Sequence, residues 1–279
     1  EAFLNYGASS TNAGDLALPS GLTSIGKKAF SGAKLKGNLV IPSSVAFMGD
    51  SAFQSAYADT DKSNMGMLSF ENGSKLTSIP AYAFAKCLAF KGSIVIPEGV
   101  TSIGQYAFEK CSGMDGTLSL PSGLETIGNY AFSECSKLTG GITLPDTLTQ
   151  LGTYTFNKCS NINGELVLSK NLKNIPQAAF SNCSSMIGSV DIPEGVQKIN
   201  ANAFQGCSSL NGTLTIPETV DTIGAYAFDQ CSLLTGTLTI PGKVTNVSNY
   251  AFDACSGFDA LKLSDSITTI GNYAFADCD

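Results

Sequence analysis

Apolar residues recur along this chain at a fixed interval, which one phenylalanine marks most clearly. That phenylalanine stands at Phe3, Phe30, Phe53, Phe84, Phe108, Phe132, Phe156, Phe180, Phe204, Phe228, Phe252 and Phe275. From Phe84 to Phe252 the spacing is a constant 24 residues. A fixed period of roughly 20 to 50 residues predicts a solenoid, in which each unit buries its apolar side only against its neighbours. Residues 1–279 are therefore predicted to form a single array.

Two apolar patterns in each repeat predict short strands. The residues ten and twelve positions after the phenylalanine are aliphatic, as in Ile94 and Ile96. Such alternation indicates a short strand with one buried face, and stacked repeats would make these strands parallel. A proline such as Pro97 ends most of them, because it cannot donate a ladder hydrogen bond. Aliphatic residues three and six positions later, as in Val100 and Ile103, predict a second short strand or extended segment.

The rest of the repeat is predicted to turn the chain. Glycine usually follows the second aliphatic segment, at Gly104, Gly128, Gly152 and Gly224, and its freedom at positive φ suits a sharp corner. Pro80 and Pro176 occupy the same column, so positive φ cannot be required in every repeat. Tyr-Ala-Phe-x-x-Cys comes next. A one-turn helix would place the phenylalanine and the cysteine on the same face.

The segment LTIPETVDTIGAYAFDQC, residues 214–231, resembles the BspA-type leucine-rich repeat. The pattern of that repeat is an aliphatic residue, Ile-Pro, two variable residues, Val-Thr-x-Ile-Gly, then Ala-Phe and a cysteine. The resemblance extends over essentially the whole chain, although most repeats carry one extra residue. It implies a leucine-rich-repeat-like, right-handed array of about 12 units of 23–24 residues. It also implies a bacterial or protist cell-surface or secreted protein, since some members adhere to host matrix proteins or other cells, and it carries over no catalytic residues.

The largest departure from the period lies between Phe53 and Phe84, which are 31 residues apart. Residues 54–75 form a polar insertion, and a strand is expected to resume within it at Leu68 and Phe70. Insertions in repeat arrays emerge as loops on one face and often bind ligands. A surface loop without a role is the alternative. Tyr57, Asp59 and Asp61 are the candidate binding residues of this insertion.

Both ends of the chain fall at the Ala-Phe phase of a repeat, with no dedicated polar cap. Because natural arrays shield their last core layers with caps, we expect the chain to be a fragment of a longer protein. A signal peptide would then lie outside the fragment, so localisation at the cell surface or outside the cell is expected only from the resemblance.

Charge and hydropathy exclude two classes of partner. The chain has 16 cationic side chains, all lysine, against 23 Asp and Glu residues, for a net charge of −7. Without arginine or a basic run it lacks the electrostatic footprint of a nucleic-acid binder. No apolar run approaches the roughly 20 residues that a membrane helix requires, so no membrane insertion is expected.

The residue types of the chain give little indication of a catalytic or metal site. The chain has no histidine, which removes Ser-His-Asp and Cys-His arrangements. All nine cysteines fall three residues after the repeat phenylalanine, which predicts a column of buried free thiols, with disulfides or metal as alternatives. Glu194 and Glu218 share a turn position and could act as an acid and base pair, but other residues of that column are typical of turns. We expect no enzyme activity and no cofactor.

Two surfaces remain as candidate binding sites. One is the set of outward residues on the first strands, including Ser119, Thr143, Asp191, Thr215 and Thr239. The other is a tyrosine stripe, with Tyr82, Tyr106, Tyr130 and Tyr154 in successive repeats and Tyr226, Tyr250 and Tyr273 later. Strand propensity and stacking at the edge of the core explain the same residues without a ligand. The leading hypothesis is an adhesion or protein-interaction module with a protein partner, such as a host matrix or other surface protein. A spacer that projects another domain and a glycan-binding module are the alternatives.

Overall fold

The structure is a computed structural model that describes residues 16–59, 61 and 65–278. These residues contain 21 short strands and no helix, and the paired strands run parallel. The strands are β1 (Ser24–Ile25), β2 (Leu39–Ile41), β3 (Phe47–Met48), β4 (Leu68–Phe70), β5 (Ser78–Ile79), β6 (Ile94–Val95), β7 (Ser102–Ile103), β8 (Leu118–Ser119), β9 (Thr126–Ile127), β10 (Ile142–Thr143), β11 (Gln150–Leu151), β12 (Leu166–Val167), β13 (Asn174–Ile175), β14 (Val190–Asp191), β15 (Lys198–Ile199), β16 (Leu214–Thr215), β17 (Thr222–Ile223), β18 (Thr237–Thr239), β19 (Asn246–Val247), β20 (Ala260–Lys262) and β21 (Thr269–Ile270).

Each turn of the solenoid contributes two strands. The even-numbered strands, here called A strands, are the predicted first strands, and the odd-numbered B strands are the predicted second ones. Ten turns in the described residues have both strands, so the prediction of about twelve units is wrong. The twelve phenylalanines bound only eleven intervals, and the interval from Phe3 to Phe30 contributes only β1 to the described part.

Residues Glu1–Thr139 form one compact unit. In its described part the A strands pair as β2 with β4 and β6 with β8. The B strands pair as β1 with β3, and β5, β7 and β9 form a continuous ladder. In that ladder Ser102 lies opposite Thr126, a register of one 24-residue repeat.

Residues Gly140–Asp279 form the second compact unit. Its A strands also pair two by two, as β10 with β12, β14 with β16 and β18 with β20. By contrast, β13, β15, β17, β19 and β21 form a five-stranded ladder. The two strand types therefore behave differently in each unit, and the A strands never form a continuous ladder among the described residues.

The predicted phenylalanine column forms the core of each unit. Phe84 lies 5.3 Å from Phe108 between ring centroids, and Phe204 lies 5.2 Å from Phe228, with the rings stacked nearly parallel. These side chains are fully buried. Burying a phenylalanine side chain contributes roughly 1.5–3 kcal/mol, so the column is a major source of stability.

The predicted one-turn helix is wrong, because linked tight turns occupy the segment between the B strand and the cysteine. Alternate amides bond within the segment, as Glu109 N to Tyr106 O (3.2 Å). The intervening amides bond to the next turn, as Phe108 N to Ala131 O (2.7 Å). Tyr106 and Lys110 have positive φ, 57° and 60°, which a helix does not permit. Half of the amides are thereby directed towards the neighbouring turn.

The expectation of positive φ at the corner glycines is also wrong. Gly104, Gly128 and Gly224 are not among the positive-φ residues, and the left-handed conformation falls two residues later, on the tyrosine. These glycines are needed because neighbouring backbones approach closely. A Cβ on Gly104 would lie 2.7 Å from Pro80 C and 2.9 Å from Ala81 Cα.

A second period, of two turns, governs the A strands. The glycine before an A strand has positive φ in alternate turns, at Gly37, Gly92, Gly140, Gly188 and Gly236. The strand after each positive-φ glycine pairs with the following A strand within its unit, whereas it makes no ladder with the preceding one. We call the unpaired junctions open joins; those within a unit are β4/β6, β12/β14 and β16/β18.

An Asp or Asn side chain fixes four of these five glycines. Gly92 N donates to Asp115 Oδ1 (2.7 Å), and Gly188 N donates to Asn211 Oδ1 (3.0 Å). Asn163 and Asp259 serve Gly140 and Gly236 in the same way. Because the acceptors belong to the following turn, they hold the two turns of a closed pair together.

Candidate functional site

The tyrosine stripe is an ordered stack at the edge of the core. Tyr82 and Tyr106 lie 4.7 Å apart between ring centroids, and Tyr106 and Tyr130 lie 4.8 Å apart, with nearly parallel rings. Tyr154 has the same half-buried environment and accepts a hydrogen bond from Gln177 Nε2 (3.2 Å). Tyr106 thus has both faces of its ring covered by neighbours, and Tyr82 and Tyr130 each have at least one face covered. Only part of the stripe is therefore available to a partner.

The outward A-strand residues are exposed. Ser119, Thr143, Asp191, Thr215 and Thr239 all present their side chains to solvent. Within the closed pairs they have cross-strand neighbours: Ser119 lies opposite Val95, and Asp191 lies opposite Thr215. Val95 is 62% exposed, which is unusual for a valine in a strand. The face is therefore weakly charged, with isolated apolar positions.

The insertion contributes to both core and surface. Tyr57 is fully buried and packs on Phe90 at 4.5 Å between ring centroids, so it offers no surface to a partner and leaves the candidate set. Its large apolar ring fills the space beneath the insertion. Asp59 and Asp61 are exposed, and Asp61 N donates to Asp59 Oδ1 (3.0 Å).

The C-terminal end of the insertion forms one wall of a groove of about 530 Å³. Residues 67–74, from β4 and the turn after it, line one side, and Ser93 and residues 95–99 of the β6 turn line the other. The groove lies along the open join between β4 and β6. Here the hydrogen bonds between the two turns include Lys91 N to Gly66 O (2.9 Å) before the strands, whereas the strands themselves do not pair.

Polar and apolar groups converge in this groove. Met67 and Val95 are exposed by 46% and 62%, and Phe70 is half-buried beside them. Two exposed carboxylates, Glu71 and Glu98, also line it. Each has one oxygen fixed by a neighbouring turn: Glu71 Oε2 accepts from Ser43 N (2.9 Å) and Glu98 Oε2 accepts from Ser122 N (3.3 Å) and Ser122 Oγ (3.2 Å).

A second groove, of about 520 Å³, lies in the unit that begins at Gly140. Its polar lining includes Gln150, Lys173, Asn174, Gln177 and Asn200. The groove lies where the tyrosine stripe is interrupted, since Ala178 and Asn202 replace tyrosine there. Smaller side chains at those positions leave the adjacent amide groups accessible.

The cysteine column is buried, as predicted. All nine cysteines are free thiols, eight of them buried and Cys278 half-buried. Cys111 Sγ donates to Phe84 O (3.1 Å), a bond that recurs along the column. Burial raises the pKa of Cys87 and Cys207 to about 12. These thiols remain protonated at neutral pH and link neighbouring turns of the core.

The described part of the chain contains no group of three or more Cys, Asp or Glu side chains arranged to hold a metal ion. It also has no helix that is long and apolar enough to cross a membrane.

The groove is hardly predictable from the sequence. Met67, Phe70, Glu71 and Glu98 are not among the predicted binding residues. The detectable signal is the turn 71–75, which is two residues longer than its counterparts. The open join beneath it depends on the φ of Gly92, which the 24-residue period hides.

Comparisons with known proteins agree with this architecture. The model of the BspA type leucine rich repeat region matches in six copies, over residues 5–74, 77–211 and 185–279. A search of curated proteins finds no match. A solved leucine-rich repeat protein from Bacteroides ovatus ATCC 8483 is 26% identical with a TM-score of 0.72, covering 94% of this chain and 63% of that one. The pneumococcal vaccine antigen PcpA is 21% identical with a TM-score of 0.50, covering 89% of this chain and 59% of that one.

The chain thus spans less than two-thirds of the length of these two solved proteins. The family model, in contrast, accounts for nearly every residue of the chain, including both units. The repeat period, the paired parallel strands and this match lead to one conclusion: the chain belongs to the BspA-type leucine-rich repeat family.

Proposed function

We propose that this chain is a non-enzymatic interaction module of a secreted or cell-surface protein, which adheres to a protein partner through the outward face of its A strands. The observation that carries this proposal is the groove at the β4/β6 open join, where exposed apolar and acidic side chains converge on one face. Folded surfaces rarely combine such groups in a concave site without a ligand. In this proposal the predicted single array over residues 1–279 is the scaffold.

Family membership and the solved relatives support the same interpretation. The BspA-type repeat is a scaffold that presents surfaces, and the pneumococcal protein is described as a vaccine antigen, which suits exposure on a cell. Host matrix proteins are the partners that we place first. We keep Asp59, Asp61, Ser119 and the exposed edges of the tyrosine stripe as further candidate contact residues.

A solid-phase binding assay tests this proposal. Purified chain is applied to immobilised host matrix proteins, and the double variant Val95→Lys/Ser119→Lys is compared with it. Both positions are exposed, so the variant chain should fold normally, while its two lysines place charge and bulk on the outward face. Gln105→Lys/Glu125→Lys is the matched control, since it adds lysines at exposed positions beside the B strands. We expect loss of binding only in the first variant; retention by both variants, or no binding by the unmodified chain, refutes the proposal.

Glycan binding is a second candidate, favoured by the amide-rich groove at Gln150, Asn174 and Asn200. Amide groups both donate and accept hydrogen bonds, as sugar hydroxyls require. A glycan array separates the two functions, because Asn174→Ala should abolish a glycan signal and leave matrix-protein binding intact. Equal glycan signals from the two proteins exclude this groove.

A further inference from the structure

The groove between β4 and β6 contains a pair of carboxylates that the protein itself does not neutralise. Elsewhere Lys110 forms ion pairs with Glu109 and Glu134, and Lys170 forms one with Asp146. Neither Glu71 nor Glu98 takes part. Their bonds to Ser43 and Ser122 position the carboxylates but supply no positive charge.

A carboxylate at the position of Glu98 in another repeat has a lysine partner. Asp146 occupies the column of Glu98 two turns later, and there Lys170 Nζ lies 3.3 Å from Asp146 Oδ2. Lys170 N also donates to Asp146 Oδ1 (3.1 Å). Ser122 occupies the position of Lys170 in the turn that serves Glu98. The amide contact is therefore kept in the groove, while the ammonium group is missing.

The surroundings favour a cation attached to an apolar chain over a free ion. Met67, Phe70 and Val95 line the same groove as the two carboxylates. A lysine or arginine side chain combines a methylene stem, which such residues can cover, with a charged end that carboxylates can bind. The open join also leaves the backbone of β4 without a ladder on the β6 side, so polar backbone groups border the site.

We infer that this groove binds a basic extended segment of the protein partner, with a lysine or arginine of that segment placed between Glu71 and Glu98. The inference rests on the proposed function, because it names the chemistry of the partner at the same face. The stem of the basic residue packs on Met67 and Val95. The acidic balance of the whole chain, with net charge −7, favours the approach of such a segment.

A displayed library of short random peptides is the probe. Peptides retained by the unmodified chain are sequenced and remade with each lysine replaced by norleucine, which keeps the stem and removes the charge. The test variant is Glu71→Gln/Glu98→Gln. The control is Glu194→Gln/Glu218→Gln, which changes the same turn column, and Glu218 Oε2 likewise accepts a backbone amide, from Gly242 (2.9 Å).

We expect the retained peptides to be rich in lysine and arginine. Their affinity should fall at least about tenfold in the Glu71→Gln/Glu98→Gln variant and in the norleucine peptides, since a charge-assisted hydrogen bond is lost. Added salt should weaken binding, and the control variant should bind normally. Peptides without a basic bias, equal binding by both variants, or no retained peptide overturn the inference. If matrix proteins are still bound in any of those cases, the proposed function survives without it.

Discussion

The alternation between closed pairs and open joins makes a specific prediction for two glycines of the same unit. Gly164 lies in a closed pair, where its amide donates to Gly140 O (3.0 Å). A Cβ at Gly164 would lie 2.7 Å from both Gly140 C and Gly141 Cα, and nearer still to Gly141 N. These are backbone atoms, so no side chain can move aside. Gly164→Ala must therefore push two turns of the core apart by several tenths of an ångström.

The magnitude follows from three contributions. Overpacking of this kind costs about 1–3 kcal/mol, and loss of the Gly164 to Gly140 bond adds roughly 1 kcal/mol. Reduced freedom of the unfolded chain returns about 0.4–1 kcal/mol. We expect Gly164→Ala to lower the free energy of unfolding by roughly 2–3 kcal/mol.

Gly236 is the matched control, because it precedes an A strand at an open join. Its φ is +79°, and a Cβ there would meet only Thr213 Cγ2, at 3.4 Å. Gly236→Ala thus introduces backbone strain without a clash, which should lower the free energy of unfolding by about 1 kcal/mol. Asparagine tolerates the left-handed conformation, so Gly236→Asn should recover much of this loss and Gly164→Asn should not.

Urea denaturation followed by far-ultraviolet circular dichroism measures the four variants, with midpoints compared at an unchanged m-value. The explanation of the two-turn period fails if Gly236→Ala destabilises the chain as much as Gly164→Ala. It also fails if asparagine is tolerated equally at both positions.

Three further predictions concern single columns of the repeat. Asn211→Ala should lower the free energy of unfolding by about 1 kcal/mol through loss of the bond from Gly188 N. Lys91→Ala, at the equivalent exposed position in the first turn of another closed pair, should have a smaller effect on the urea midpoint; equal effects contradict the role given to Asn211. Burial, together with the charges of Asp229 and Asp277, raises the pKa of Asp253, whose Oδ1 is buried without a hydrogen-bond partner in the described structure. Folding therefore favours the protonated form of Asp253. Its contribution to the free energy of unfolding is present below the ordinary aspartate pKa and is lost as pH rises through the raised pKa. Asp253→Asn should stabilise the chain at pH 7 and lose that advantage in acid, and destabilisation at pH 7 refutes this prediction. Ellman's reagent should titrate nine thiols in denaturant and leave the eight buried thiols unreacted in the native protein at pH 8. Burial is the reason, since it raises the pKa of Cys135, for example, to about 12. Rapid reaction of a buried thiol in the native protein contradicts the assignment of these cysteines to the core.

Much of the fold could be predicted from the sequence because its core positions repeat without interruption. The phenylalanine column and the two aliphatic patterns appear in the structure as a stacked core and two parallel strands per turn. The one-turn helix could not be excluded, since Phe108 and Cys111 lie three residues apart in a helix and in these linked turns alike. The positive φ of Tyr106 distinguishes the linked turns from a helix. A tyrosine in the sequence does not predict positive φ.

The candidate site was harder to predict because it depends on a difference between neighbouring repeats. Reading the columns at 24 residues treats Gly92 and Gly116 as equivalent, yet one has positive φ and the other packs against the preceding turn. The sequence does contain the distinction, in the residue before each glycine (before Ala260 in the last case): Asp115, Asn163, Asn211 and Asp259 alternate with Lys91, Thr139, Ile187 and Thr235. An Asp or Asn side chain thus marks the second turn of the four closed pairs from β6/β8 to β18/β20, whereas Met65 stands at this position in β2/β4.

This two-turn period also determines which junctions between turns offer a ligand unpaired strand edges. Within a closed pair, the backbone groups of adjacent A strands hydrogen-bond to each other, as Val190 N does to Thr213 O (2.9 Å). At an open join the strands separate and their facing backbone groups lack that ladder. The insertion widens such a join at β4/β6 by lengthening the turn that contains Glu71. Neither Glu71 nor Glu98 has an internal lysine partner, and both lie beside exposed apolar side chains, so the groove differs from the turn at Asp146, where Lys170 neutralises the carboxylate. A repeat array can therefore change its ligand by altering one join while the remaining turns and the core columns stay unchanged.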